Sequence, residues 1–328
     1  MNPALKAALL AALLGAVPGC GPKAPELPAL NRLESYSFDP ASPLETRIKL
    51  IPAPVLDSFR ALDSRPDYAG YEPSAADRAL VMDYLRLLPP AYEKTFKQRC
   101  LGVYFVPDMV GYGLADWVAG PGGTVYFQLI LNAAVLKESL SETLTNREKT
   151  CFIPRAGWSV RVDAGTGYKG LLYALAHEGG HGLDYAAGLT PYTDDTMPAY
   201  YRPRRPLSGG LFPLRWADYA KPRPEFSFPG RDQVTFYGFG GGPKLDIGGA
   251  ADLYRGMLGA GFVSLYASKS WAETLADTAT FGALAGLGQP YRITVAGPGG
   301  RQEVFEPMKS PAARQAAEVM ELLGKIKI

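Results

Sequence analysis

The sequence predicts an α+β fold. Strand-like and helix-like segments fall in separate blocks rather than in strand–helix alternation. No stretch repeats another. The composition is globular: 47% hydrophobic and 20% charged over 328 residues, enough to bury the core of one large or two ordinary domains. Gly and Pro number 37 and 29, so many turns and long ordered loops are expected. Lys plus Arg (34) nearly balance Asp plus Glu (32), which leaves no electrostatic footprint for a nucleic-acid partner. There are only two histidines, so a three-histidine metal site is excluded.

Residues 1–19 read as a signal peptide. Lys6 is the single charge, and the apolar run from Ala7 to Val17 has the length of a signal h-region and is too short to span a bilayer. Val17-Pro18-Gly19-Cys20 resembles a bacterial lipobox, with Pro18 departing from the usual pattern. The resemblance implies cleavage before Cys20 and several acyl chains on it, which anchor firmly. The alternative is an ordinary secretory signal with an incidental cysteine; both readings put the mature chain outside the cytoplasm. Gly21, in place of Asp, implies by the same likeness an outer-membrane destination, with the periplasmic or surface face left open. Residues 20–30, with prolines at 22, 25 and 28, read as a short extended tether. An oxidising periplasm permits a disulfide between Cys100 and Cys151; two buried thiols are the other reading.

Residues 31–160 carry no motif and read as either the upper part of a cleft or a separate subdomain. Within them, 74–97 predicts a helix capped by Ser74 and split at Pro89-Pro90. Residues 101–106 and 124–131, rich in β-branched and aromatic side chains, predict strands; 139–149 predicts a short polar helix and 159–162 a further strand. Residues 161–328 read as the functional core. There, 168–187 predicts a helix with an apolar stripe at Leu171, Leu172 and Leu175. A long irregular stretch, 188–250, follows; loops of that length are more often functional than idle. Its GFGGGPK run lacks the P-loop spacing, and Arg202, Arg204 and Arg205 fit either an acidic partner or a solvated loop. Residues 271–284 predict a second long helix and 291–295 a strand. A final helix opens at Ser310-Pro311.

His177-Glu178-Gly179-Gly180-His181 is an H-E-x-x-H pattern on a predicted helix. Four residues rotate by about 400°, so both imidazoles leave the same face one turn apart and can share one tetrahedral zinc. Glu178 is then placed as general base rather than ligand. The adjacent glycines each cost about 1 kcal/mol relative to Ala in a helix. A closely approaching backbone is the expected compensation, with 124–131 as the candidate strand. Catalytic zinc usually takes three protein ligands, and with no further histidine the third must be a carboxylate. Asp184 lies about 10 Å along the axis from His177, too far for a shared metal, and is better placed to bond a ligand or hold the helix end. Glu273 and Asp277 share a helix face, so Glu273 can reach the zinc while Asp277 accepts the outer N–H of a ligand histidine.

H-E-x-x-H followed by E-x-x-x-D on a later helix resembles the gluzincin metallopeptidases. The likeness is closest to the catalytic domain of anthrax lethal factor and its relatives: their H-E-F-G-H-A-V-D stands beside His177-Glu178-Gly179-Gly180-His181-Gly182-Leu183-Asp184, and Tyr266 stands seven residues before Glu273 as their tyrosine does. The likeness covers about 165–190 and 262–285, and departs at Gly179 and Asp277. It implies a zincin-like domain: an active-site helix beside a small mixed sheet, with a C-terminal helical part. It implies one Zn2+ per chain on His177, His181 and Glu273. Glu178 would deprotonate a zinc-bound water, and Tyr266 would donate to the oxyanion; Tyr254 and Tyr237 are the fallback donors. The expected function is an envelope-tethered zinc metallopeptidase acting on protein or peptide and meeting the membrane through its N-terminal lipid. The competing readings are a non-catalytic binding lipoprotein on a zincin scaffold and a zinc amide hydrolase of peptidoglycan.

Overall fold

Apolar runs with strand periodicity set the first sheet. The computed structural model describes residues 25–202 and 215–326, so the signal peptide, Cys20, Arg204 and Arg205 lie outside the described residues. The fold is α+β. Three helices open it: α1 (Ala53–Asp63), α2 (Ala75–Leu87) and α3 (Pro90–Arg99). Ser74 caps α2 in a reciprocal box with Asp77, and Pro90 opens α3. Proline tolerates the first helical turn but cannot continue a helix from within, so the segment divides where the sequence says it should. Then come β1 (Cys100–Val106), β2 (Gly113–Ala119) and β3 (Val125–Asn132). They order β1-β3-β2, with β1 parallel and β2 antiparallel to β3. Along β1, Val103 and Phe105 enter the large core while Tyr104 and Val106 enter a smaller one under α1, as strand alternation requires.

The second half adds α4 (Leu140–Lys149), capped by Ser139 and Glu142, then β4 (Phe152–Ile153), β5 (Ser159–Asp163) and the long α5 (Gly170–Ala187). Among the described residues of 188–250 only the short β6 (Trp216–Asp218), β7 (Lys221–Pro222), β8 (Leu245–Asp246) and 3-10 turns form, in keeping with the expected irregular stretch. The remainder is α6 (Ala250–Gly259), α7 (Trp271–Gly286), β9 (Arg292–Ala296), β10 (Gln302–Phe305) and α8 (Ala312–Lys325). Strands β5, β9 and β10 form an antiparallel sheet centred on β9. The expected boundary near 161 falls inside β5, and one core joins Phe105 and Leu129 to Leu175, Leu275 and Ile293 across it. No helix among the described residues is long and apolar enough to cross a membrane.

Of the two readings left open for the cysteines, the structure has the buried thiols and not the disulfide. Cys100 and Cys151 are both free and buried. Each is held by its own element: the Cys100 thiol lies 3.4 Å from the Gly102 carbonyl at the start of β1, and that of Cys151 lies 4.0 Å from the Arg147 carbonyl after α4. Burial pushes the Cys100 thiol up to about 12 and that of Cys151 well above its ordinary value, so both pack as small apolar groups.

Candidate metal centre

α5 and α7 make the centre by lying unusually close. A Cβ on Gly180 would stand 3.1 Å from the Ala276 Cα, and one on Gly179 would stand 2.9 Å from the Tyr92 ring. The compensation for two helical glycines is therefore close approach, as expected, but by α7 and α3. Strand β3 arrives one residue past His181, where a Cβ on Gly182 would lie 2.6 Å from Phe127. This packing sets the one-turn ladder of α5 against the first turn of α7.

His177 and Glu178 are buried on α5 and His181 is nearly so. The two imidazoles lie 5.0 Å apart, steeply inclined to each other. Glu273 Oε2 lies 3.1 Å from His177 Nε2 and 3.5 Å from His181 Nε2. That oxygen is buried and makes no hydrogen bond. Without a metal, the protonated imidazoles and the ionised carboxylate balance one another; the same two-nitrogen, one-oxygen donor set is one that zinc accepts. Donor atoms of His177, Glu178 and His181 also lie within 4.8 Å of one another, which makes Glu178 a rival third ligand. The Glu178 carboxylate is already engaged: its Oε2 accepts the Ala115 N–H at 2.8 Å. Both carboxylates therefore stand within reach of a cation held by the two imidazoles, Glu178 with its Oε2 already bonded and Glu273 with its Oε2 turned to both rings. Gly113 is what admits Glu178, since a Cβ there would stand 2.6 Å from its Cγ and Oε1.

Asp277 takes the predicted outer role, its Oδ1 2.7 Å from His177 Nδ1. It is fixed in turn by Arg147 Nη1 at 3.1 Å and by the Ser264 hydroxyl. Arg147 is wholly buried on α4, with Glu148 at 3.0 Å and the Tyr173 hydroxyl at 2.5 Å. Nothing in the sequence marks Arg147, because its partner Asp277 is 130 residues away. Asp277→Asn should loosen the orientation of His177 and weaken any metal held there about 10- to 100-fold, read by competition with a chelator. Unchanged affinity would show that Asp277 does not tune the ligand.

Charge organises the centre. Burial alone would lower the His177 imidazole, but Asp277, Glu273 and Glu178 outweigh it and hold it up at about 10. His181 is likewise raised against burial, by Glu273. Burial opposes ionisation of Glu273 too, yet the two imidazoles hold it down at about 2. A metal entering this site therefore displaces protons from the histidines, so its affinity rises with pH. Burial raises Glu178 above an ordinary carboxylate, the direction a general base needs.

Above the triad lies a cleft of about 160 Å³, walled by Gly113, Leu114 and Ala115 of β2, by Tyr185, Tyr219 and Tyr266, and by Thr193 and Asp194. Tyr266 packs its ring 5.4 Å from that of His177; burial, then the Glu273 carboxylate, raise its phenol far above the ordinary value, so it keeps a proton to donate. Tyr219, not anticipated, donates to the Thr193 carbonyl at 3.1 Å. The fallback donors do not line the cleft: Tyr254 donates to Glu148 at 2.6 Å, and Tyr237 packs against Tyr112, Phe236 and Phe239. Asp184 takes the helix-end role. It accepts the Thr190 N–H at 2.7 Å and the Thr190 hydroxyl just beyond Gly188, whose positive φ of 69° ends α5. No known protein family, no curated protein and no solved structure matches the chain.

Proposed function

We propose that the chain is a zinc metallopeptidase of gluzincin type, tethered to the bacterial envelope by lipid on Cys20. The observation that carries this reading is the convergence of Glu273 Oε2 on both imidazole nitrogens, at 3.1 and 3.5 Å, with Glu178 beside them. The zincin-like arrangement is supported by α5 lying under edge strand β2, with α7 delivering the third ligand. Zinc, when bound, polarises the scissile carbonyl and lowers the pKa of water. The remaining work falls to the chain. Glu178, kept basic and anchored by the Ala115 N–H, takes the proton of the attacking water and passes it to the leaving amine. Tyr266 offers its phenolic O–H to the oxyanion that develops on the substrate. Asp277 and Arg147 keep His177 in register.

The test is zinc content by elemental mass spectrometry beside Glu273→Ala. The expected result is about one zinc per chain, with affinity lost or much reduced in the variant. No zinc in the wild type after reconstitution would overturn the reading and favour a binding protein.

A further inference from the structure

The outer edge of β2 is open only over Gly113 and the Ala115 carbonyl, because the Ala115 N–H is given to Glu178 Oε2 at 2.8 Å. The Tyr112 carbonyl accepts the Asn132 N–H from β3, so alternation turns the backbone groups of Gly113, Ala115, Trp117 and Ala119 to the outer edge. Gly113 and Ala115 face the cleft. From Trp117 onward the edge is taken. Its carbonyl accepts from Asn31 Nδ2 at 2.7 Å, its N–H donates to Asp116 Oδ1 at 2.9 Å, and Ala119 is bridged in parallel to Arg32. Asn31 also donates to Asp116, at 3.2 Å. The segment before Asn31 stays on this side: the Pro25 carbonyl accepts the Tyr201 hydroxyl at 3.2 Å, and the Tyr201 ring lies 5.8 Å from that of Trp117. Residues 25–32 thus strap the far end of the edge.

The strap falls on a definite side of the catalytic groups. Gly113 lies against Glu178, and Phe127, the cross-strand partner of Trp117, lies against Gly182, so β2 runs in the same sense as α5. A peptide adding antiparallel to β2, the stronger pairing, would lay its N-terminal part over Ala115 and towards Trp117. Past Ala115 it meets the strap, and at about 3.4 Å per residue there is room for roughly two residues. Asp194 lies at this closed end. It lines the cleft together with Tyr185, which stands two turns past His177 on the strap side; the Asp194 Oδ1 accepts the Thr196 N–H and hydroxyl, each at 2.7 Å, which fixes the carboxylate. Besides Glu178 and Glu273 it is the acidic side chain in the cleft wall among the described residues.

Resting on the peptidase reading, we infer that this centre is an exopeptidase: it removes one or two residues from peptides with a free amino terminus, whose α-ammonium is held by Asp194. Water adds across the C–N bond; the short N-terminal piece leaves as a carboxylate, and the amine of the remainder takes the proton delivered by Glu178.

The test uses the zinc-loaded full-length chain and a peptide of about ten residues, compared with its N-acetylated form, with products mapped over time by mass spectrometry. The expected first products lack one or two N-terminal residues, and acetylation lowers kcat/KM at least about tenfold. In Asp194→Asn the free-amine peptide should lose that advantage through KM, so that the two peptides approach the same kcat/KM. Asn31→Ala, checked for an unchanged melting temperature, should let first cuts appear three or more residues in. First cuts deep in the peptide by the wild type, or indifference to acetylation, would overturn the inference. Binding separates it from the peptidase reading. Fluorescence anisotropy on Glu178→Gln should show the free-amine peptide held at least about tenfold more tightly than the acetylated one, even if the wild type hydrolyses neither. Equal binding overturns the inference; selective binding with no turnover upholds the amino-terminus site at Asp194 and overturns the peptidase reading on which cleavage rests.

Discussion

Glu178→Gln is expected to retain a full complement of zinc and to lose about 10²- to 10⁴-fold in peptide hydrolysis, the usual contribution of a positioned general base. The geometry makes this substitution unusually clean. Glutamine keeps a carbonyl oxygen to accept the Ala115 N–H, the one hydrogen bond that holds the side chain, and nearly the same volume against Gly113. What disappears is the basic oxygen. It also removes a negative charge that raises both imidazoles, which eases their deprotonation, so metal affinity should not fall. Kinetics, zinc stoichiometry and melting temperature are measured on the same preparation. Undiminished kcat with bound zinc would exclude Glu178 as base and pass that role to Glu273 or Asp194, the other carboxylates in the cleft wall among the described residues.

The legible parts of the centre were the local ones. His177, Glu178 and His181 could be placed together because one helical turn fixes their relation. Glu273 and Asp277 could be given different tasks because four residues separate them on one face, although nothing local tells which helix they meet. That meeting depends on Gly180 admitting Ala276, and a glycine in a sequence announces room without naming its occupant. The same limit explains the strand expected beside Gly179, where Tyr92 of α3 stands instead. β2 was invisible for another reason. Gly113-Leu114-Ala115-Asp116-Trp117-Val118-Ala119 has one β-branched residue, and its pairing with β3 makes it a strand. Asn31 and Arg147 lie 86 and 130 residues from Trp117 and Asp277, so their roles exist only in the folded chain. The cysteines fail similarly: compartment permits a disulfide, but side-chain geometry decides it.

Arg147→Met is expected to be the most destabilising single change at the centre, by about 3–5 kcal/mol, because it removes one partner from a buried charge network. Arg147 is fully buried between Asp277 and Glu148, with Tyr173 bonded to the same guanidinium. Methionine fills most of the volume, so the loss is chiefly electrostatic. Asp277 would keep His177 and the Ser264 hydroxyl, but Glu148 would keep mainly the Tyr254 hydroxyl. The melting temperature should fall by roughly 10 °C, since each kcal/mol shifts a chain of this order by about 2–4 °C. A double variant separates charge from packing. If the cost is an uncompensated carboxylate, Arg147→Met with Glu148→Gln should be more stable than Arg147→Met alone. If it is lost packing, the second change should add to the damage. Arg147→Lys, which keeps the charge but loses the planar fork, should fall between wild type and Arg147→Met, because an ammonium cannot meet Asp277, Glu148 and Tyr173 in one plane. A melting temperature for Arg147→Met within a degree of wild type would mean that Asp277 is held in place by Ser264 and His177, and that the arginine only fills space.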